Sequence, residues 1–281
     1  MPGRFAAFSF LDRITSLEPG VRARGQYTVP PGVGRFPPCL VAESVGQLAA
    51  WAAMSTVDCR RRPLAGLVGE TRFLGEVAPG QTVDLAVELE SCREDAIAYG
   101  GWAHVERTPI LELTRCVGPM LPAAEFDAPE SLRADLELLQ DGGAPAGRFH
   151  PVPEPDIAVV DGAAGGWIRA ELRVPTAAPF FADHFPRRPV LPGALLLHGQ
   201  LRLALRLAGE TLGAKPAATL VPARVTDVKL RAFIPPAAVV EIRVDTLARA
   251  AGAAATVGLA ARVGGRSVAT GRAEIVARSA K

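Results

Sequence analysis

The sequence predicts an α+β protein made of two similar halves, each an antiparallel sheet with one long buried helix. Three observations carry that expectation. A strand-like run, a long apolar helix and several further strand-like runs occur twice in the same order, and internal duplication is a stronger guide to architecture than any single motif. Between the copies, residues 119–156 shift in composition, with Pro119, Pro122, Pro129, Pro145, Pro151, Pro153 and Pro155 and the Gly142-Gly143 pair, as a connecting segment does. Both long helical stretches are apolar, the first on nearly every side, which marks a buried helix. The chain divides accordingly into a first half, 1–122, a linker, 123–155, and a second half, 156–281.

In chain order, residues 8–20 read as a short apolar segment and a turn. Residues 21–29 read as a strand, because Val21, Ala23, Gly25, Tyr27 and Val29 alternate with Arg22, Arg24, Gln26 and Thr28. A Pro/Gly-rich bend at 30–38 ends it, and the first apolar helix follows at 39–54. After the corner Arg60-Arg61-Arg62-Pro63, strands are expected at 66–74, 82–89, 96–106 and 109–117, with Ala78-Pro79-Gly80 as a turn. The linker holds one amphipathic helix, at 129–139, with Leu132, Leu136 and Leu139 on one side. The second copy begins with a strand at 167–174 and continues with a helix at 194–212. Strands at 224–233, 239–247, 253–263 and 267–276 complete it, and Ile234-Pro235-Pro236-Ala237 stands where Ala78-Pro79-Gly80 stood.

At 281 residues, with 49% hydrophobic residues, the chain can bury a sizeable core. Its 31 basic and 29 acidic residues leave a net charge of +2, so no global field points to nucleic acid or an anionic membrane. Cys39, Cys59, Cys92 and Cys116 show no C-x-x-C spacing, which argues against both zinc and a secreted disulfide framework. No apolar signal core or membrane-length apolar run is present, and the expectation is a cytoplasmic protein.

The chemistry-bearing stretch is 179–198. It sets His184 among Phe180, Phe181 and Phe185, then places Pro192-Gly193 at the start of the second helix. The first N–H groups of a helix and the dipole behind them favour partial negative charge, so a substrate carbonyl could be polarised at Gly193. On the first helix, Glu43 and Gln47 lie one turn apart on one face. A carboxylate on so apolar a helix must be paired, protonated or functional. His104 in a strand pattern and His150 in the linker carry no such context.

Residues 184–193, His-Phe-Pro-Arg-Arg-Pro-Val-Leu-Pro-Gly, match at every fixed position the His-Phe-Pro-x-x-Pro-x-x-Pro-Gly signature of the bacterial β-hydroxyacyl-[acyl-carrier-protein] dehydratases. Both halves resemble that family's hot-dog fold, an antiparallel sheet wrapped around one central helix, so the chain looks like a fused double hot-dog packed as a pseudo-dimer. In the family the carboxylate lies six residues beyond the second proline before it, which implies Glu43 after Pro37 in the first half and finds His198 after Pro192 in the second. Counting back from Glu43 without gaps puts Val29 at the histidine's place, and Pro38, which has no N–H, stands at the position of Gly193. Family dimers build each site from one subunit's histidine and the other's carboxylate. The resemblance therefore implies one working site, formed by His184, Glu43 and Gly193, and one lost site, with His198 a buried remnant.

At such a site His184 would take the C2 proton of a 3-hydroxyacyl thioester, Glu43 would protonate the departing C3 hydroxyl, and Gly193 N–H would stabilise charge on the thioester oxygen. Gln47 would orient Glu43 or simply satisfy backbone. Phe180, Phe181 and Phe185 are expected along an acyl tunnel, two of them with an ordinary core role. No metal or organic cofactor is required. The implied partner is an acidic acyl carrier protein bearing the substrate, with Arg187 and Arg188, and the corner Arg60 to Arg62, as candidate docking residues; further oligomers remain open. Two other readings stand beside this one: an acyl thioesterase on the same fold, against which the intact His-Phe-Pro signature argues, and a catalytically silent partner of an active dehydratase.

Overall fold

The computed structural model describes residue 5 and residues 7–34, 36–144, 152–213, 219–250 and 254–278; His150 lies outside them. In the first half, β1 (Arg13–Glu18), β2 (Arg22–Thr28), α1 (Pro38–Met54), β3 (Arg61–Pro63), β4 (Leu67–Phe73), β5 (Thr82–Cys92), β6 (Ala96–Val105) and β7 (Thr108–Pro122) follow in order. A 3-10 turn, Ala123–Glu125, leads to the linker helix α2 (Pro129–Asp141). The second half comprises β8 (Asp156–Ala163), β9 (Trp167–Arg173), a 3-10 turn at Pro179–Ala182, α3 (Gly193–Leu212), β10 (Thr219–Leu230), β11 (Val239–Ala250), β12 (Ala254–Val263) and β13 (Arg266–Arg278). Three strands escape the periodicity argument: β1, whose burial alternates poorly, β3, three residues long within the expected corner, and β8, which is exposed along almost its whole length. For β8, an edge strand exposed almost throughout, there is no apolar period to display.

The strands form one antiparallel sheet in the order β1-β2-β5-β6-β7-β4-β10-β13-β12-β11-β9-β8, with β3 paired to β7. Apart from β3, the order is a mirror about the β4–β10 seam: each of the other strands of the first half has its counterpart at the same distance on the other side. At the seam Thr71 faces Val225 and Val68 faces Val228. The chain is thus a double hot-dog, with α1 and α3 each packed in the curve of its own half and against each other.

Both helices begin at a proline, Pro37 before α1 and Pro192 before α3, each in extended conformation with no side-chain cap. The locked φ of proline and its missing N–H suit a helix start. α1 buries Cys39, Leu40, Val41, Ser44, Val45 and Leu48 in its first turns. It lies so close to β2 that a Cβ on Gly25 would meet Leu48 Cδ1 at 3.3 Å, Leu11 Cδ1 at 2.7 Å and the Arg13 carbonyl at 2.8 Å.

The loops feeding the helices differ. Val29 and Val174 are equivalent: each follows its strand and donates its N–H at 3.0 Å to the residue before the next paired strand, Gln81 and Ala238 respectively. From Val174 to Pro192 the chain runs eighteen residues, and from Val29 to Pro37 only eight. The ungapped count that put Val29 in the histidine's place is therefore corrected. The first half lacks the whole segment that carries the 3-10 turn and the histidine, because its loop is ten residues shorter.

Gly25→Ala is expected to cost about 1–3 kcal/mol, since the backbone carbonyl of Arg13 cannot yield as a side-chain end would; urea unfolding monitored by tryptophan fluorescence measures it.

Candidate active site

A cavity of about 540 Å³ opens between the halves. Its walls bring together Glu43 and Gln47 of α1 with His184, Phe185 and Gly193 of the second half. Residues 141 positions apart in the chain thus face one space.

His184 is held by the loop that carries it. Its backbone N–H donates to Phe180 O at 2.9 Å, and its carbonyl accepts the Val190 N–H at 3.2 Å. The ring's Nδ1 lies 3.2 Å from Val190 O; a carbonyl only accepts, so Nδ1 carries the proton and Nε2 keeps its lone pair. The Phe185 ring stacks on the imidazole, centroids 4.1 Å apart at 22°, and Phe8 meets it edge-on at 5.4 Å. Burial, and then the charge of Arg62, pull the His184 pKa down to about 4. The imidazole is neutral at physiological pH.

Glu43 shifts the other way. Burial raises its pKa, offset in part by the Gln47 hydrogen bond and by the charge of Arg62. Gln47 bonds to both backbone and Glu43: its Oε1 accepts the Phe10 N–H at 2.8 Å, and its Nε2 donates to Phe8 O at 3.0 Å and to Glu43 Oε1 at 3.1 Å. The Phe10 N–H determines the amide's orientation. With Oε1 of Glu43 accepting from Gln47, Oε2 is the oxygen left to carry a proton when the carboxyl is neutral.

Gly193 opens α3 and lines the cavity. A Cβ there would press to 2.6 Å from Leu230 Cδ1. Of the phenylalanines expected along a tunnel, Phe185 lines the cavity. Phe180 and Phe181 do not: both are buried, their rings packed on each other at 4.5 Å, and Phe180 also meets Phe8. The aromatic spacing alone cannot separate a wall from the packing behind it.

The arginines also sort differently from a surface cluster. Arg62 lines the cavity, its guanidinium 4.4 Å over the Phe185 ring. It lies within electrostatic reach of Asp127, Glu43, Asp183 and Asp135. It is no docking residue, because β3 turns its side chain inward. Arg187 and Arg188 are exposed but engaged: Arg187 donates to Ala124 O at 3.1 Å and, through its backbone, to Phe126 O, while Arg188 pairs with Glu125 at 3.0 Å and lies 4.3 Å over the Phe233 ring. They fasten the histidine loop to the start of the linker. The linker in turn supplies a cavity wall, Asp127, Ser131, Leu132 and Asp135. Sequence reasoning placed Arg62 on a docking surface instead of the cavity, and missed Asp183 and this wall; the one available signal was an aspartate directly before the histidine.

His198 Nε2 lies 3.4 Å from Glu154 of the linker, which also pairs with Arg202 at 2.6 Å. Four residues on from His198, Arg202 occupies the place that Gln47 holds after Glu43. His104 stacks on Trp102 at 4.2 Å on β6. The four cysteines are free thiols. Among the described residues no cluster of ligands suits a metal, and no helix is long and apolar enough to cross a membrane.

A family profile described as a FabA-like domain matches residues 156–272. The 3-hydroxyacyl-[acyl-carrier-protein] dehydratase FabZ of Polaromonas sp. is 46% identical over 18% of this chain and 36% of its own length. That of Chloroflexus aggregans is 37% identical over 33% of this chain and 72% of its own length. This chain belongs to the FabZ dehydratase family. The chain spans about a third of the first relative's length and nearly three quarters of the second's. In fold it is similar to the dehydratase domain of PpsC from Mycobacterium tuberculosis, with a TM-score of 0.54 at 16% identity over 97% of this chain and 100% of that one. The 12:0-ACP thioesterase from Umbellularia californica matches with a TM-score of 0.55 at 9% identity over 92% and 94%. At these identities the likeness shows the double hot-dog fold and nothing of the reaction.

The Arg62–Phe185–His184 stack makes the imidazole's titration a direct readout. By NMR, His184 is expected to titrate near pH 4, well below free histidine, and Arg62→Met is expected to move it upward because one of the two causes of the depression is gone.

Proposed function

We propose that this protein dehydrates 3-hydroxyacyl thioesters, carried on an acyl carrier protein, to the trans-2-enoyl thioesters at a single site shared by its halves. The observation that carries the reading is one cavity lined by both a neutral histidine and a carboxyl group held toward its protonated form. Pairs of titratable groups whose surroundings push their pKa values apart are how acid and base roles are divided. His184 Nε2 takes the C2 proton, the C3–O bond breaks, and the leaving hydroxide departs as water with the proton from Glu43 Oε2. The N–H of Gly193, at the α3 N-terminus, stabilises the negative charge that develops on the thioester oxygen. Membership of the FabZ family supports the substrate class, and the acidic carrier is the partner whose charge suits exposed Arg187 and Arg188.

The test is an assay of purified protein on 3-hydroxyacyl carrier and crotonyl-type substrates. His184→Ala and Glu43→Gln are each expected to lower kcat/KM by about 10²–10⁴-fold, and His198→Ala is expected to leave it near wild type. Full activity in His184→Ala, or its loss in His198→Ala, would overturn the assignment; release of free acid and thiol would mark a thioesterase instead.

The pH profile has a defined sign. His184 is a base only above its depressed pKa of about 4, and Glu43 is an acid only below its raised one. Activity should climb through about pH 4 and decline as Glu43 ionises, at a pH above the ordinary carboxylate range; a profile that climbs only through pH 6–7 would exclude a depressed His184 as the base.

A further inference from the structure

We infer that Asp183 is a positioning residue that ties the proposed base to the proposed acid through a single segment of backbone; the inference rests on the dehydration reading. Asp183 stands directly before His184, at the end of the 3-10 turn. Its Oδ2 accepts two backbone N–H groups from the opposite end of the chain, those of Ala7 at 2.9 Å and Phe8 at 2.7 Å. Hydrogen bonds to an ionised carboxylate are about twice as strong as neutral ones, and here one oxygen gathers two.

The segment they hold is the one that reaches the acid. The Phe8 carbonyl accepts from Gln47 Nε2 at 3.0 Å, and that same nitrogen donates to Glu43 Oε1 at 3.1 Å. Two residues on, the Phe10 N–H fixes the other end of the Gln47 amide. Phe8 also presses its ring edge on the His184 imidazole. One residue therefore touches the base by its ring, the base's neighbour by its N–H, and the acid's holder by its carbonyl.

The need for such a tie is physical. The acid and base sit on different halves, so no helix or strand common to both sets their separation. A misplacement of about 1 Å can cost on the order of 10²-fold in rate. The Asp183–Phe8–Gln47–Glu43 chain supplies the missing constraint in four hydrogen-bonded groups.

The experiment compares Asp183→Ala with Asp183→Asn, whose amide oxygen can accept the same two N–H groups without the charge. Turnover on a 3-hydroxyacyl carrier substrate is measured alongside hydrogen exchange at the Ala7 and Phe8 amides. Asp183→Ala is expected to lower kcat by about 10–100-fold with KM changed by less than about threefold, and to expose both amides to faster exchange. Asp183→Asn is expected to keep the amides protected and to retain most of kcat. Wild-type kcat in Asp183→Ala, unchanged exchange there, or an Asp183→Asn protein as slow as Asp183→Ala with its amides still protected would each overturn the inference. A wild-type protein that turns over no substrate, with exchange at both amides quickened in Asp183→Ala, would overturn the dehydration reading and leave the tie standing.

Discussion

The antiparallel pairing of β4 with β10 is the constraint on which the rest depends. It joins two sheets into one and, because the strands run in opposite directions about Glu70 and Thr226, it relates the halves by an approximate twofold axis. That axis brings the first turns of α1 to face the loop before α3. The cavity is a consequence of the pairing, since neither half encloses it alone. Backbone hydrogen bonds along the seam must be satisfied somewhere once they are buried, and the mirror arrangement satisfies them while leaving the two helices apposed.

Symmetry in the framework is matched by asymmetry in what it carries. The first half keeps a carboxylate and an amide on its helix, and its loop, ten residues shorter, carries no histidine. The second half keeps the long loop, while its helix bears His198 and Arg202, both drawn to Glu154. Each half therefore carries side chains at the cavity or at its helix that the other does not.

The cavity gathers ionisable groups at a density that burial alone would forbid. An unpaired buried charge is expensive, and a group so placed usually shifts its pKa and neutralises. His184 and Glu43 both follow that course, in opposite directions, so each is neutral over one range of pH. Arg62 cannot follow it, because a guanidinium stays charged; it instead lies over the Phe185 ring and within reach of several acids. Its charge acts in one sense on both neighbours, holding protons off the histidine while moderating the rise at Glu43.

Much of this was legible in the chain itself. Local chemistry determined the two apolar helices with prolines at their starts, the strands that alternate, the amphipathic helix after β7, and the ten-residue signature from His184 to Gly193, because these are properties of neighbours in sequence. Even the hydrogen bond between Gln47 and Glu43 follows from one helical turn. Tertiary structure alone decided that Arg62 faces the cavity while Arg187 and Arg188 hold the loop, that Phe185 is a wall while Phe180 and Phe181 are core, and that the linker helix closes one side. It also decided that Asp183 reaches Ala7 and Phe8 across 175 positions or more. The reason is the same in each case: which way a side chain turns, and what meets it, depends on surfaces brought together by the seam, and no period or spacing in the chain encodes a partner from the other half.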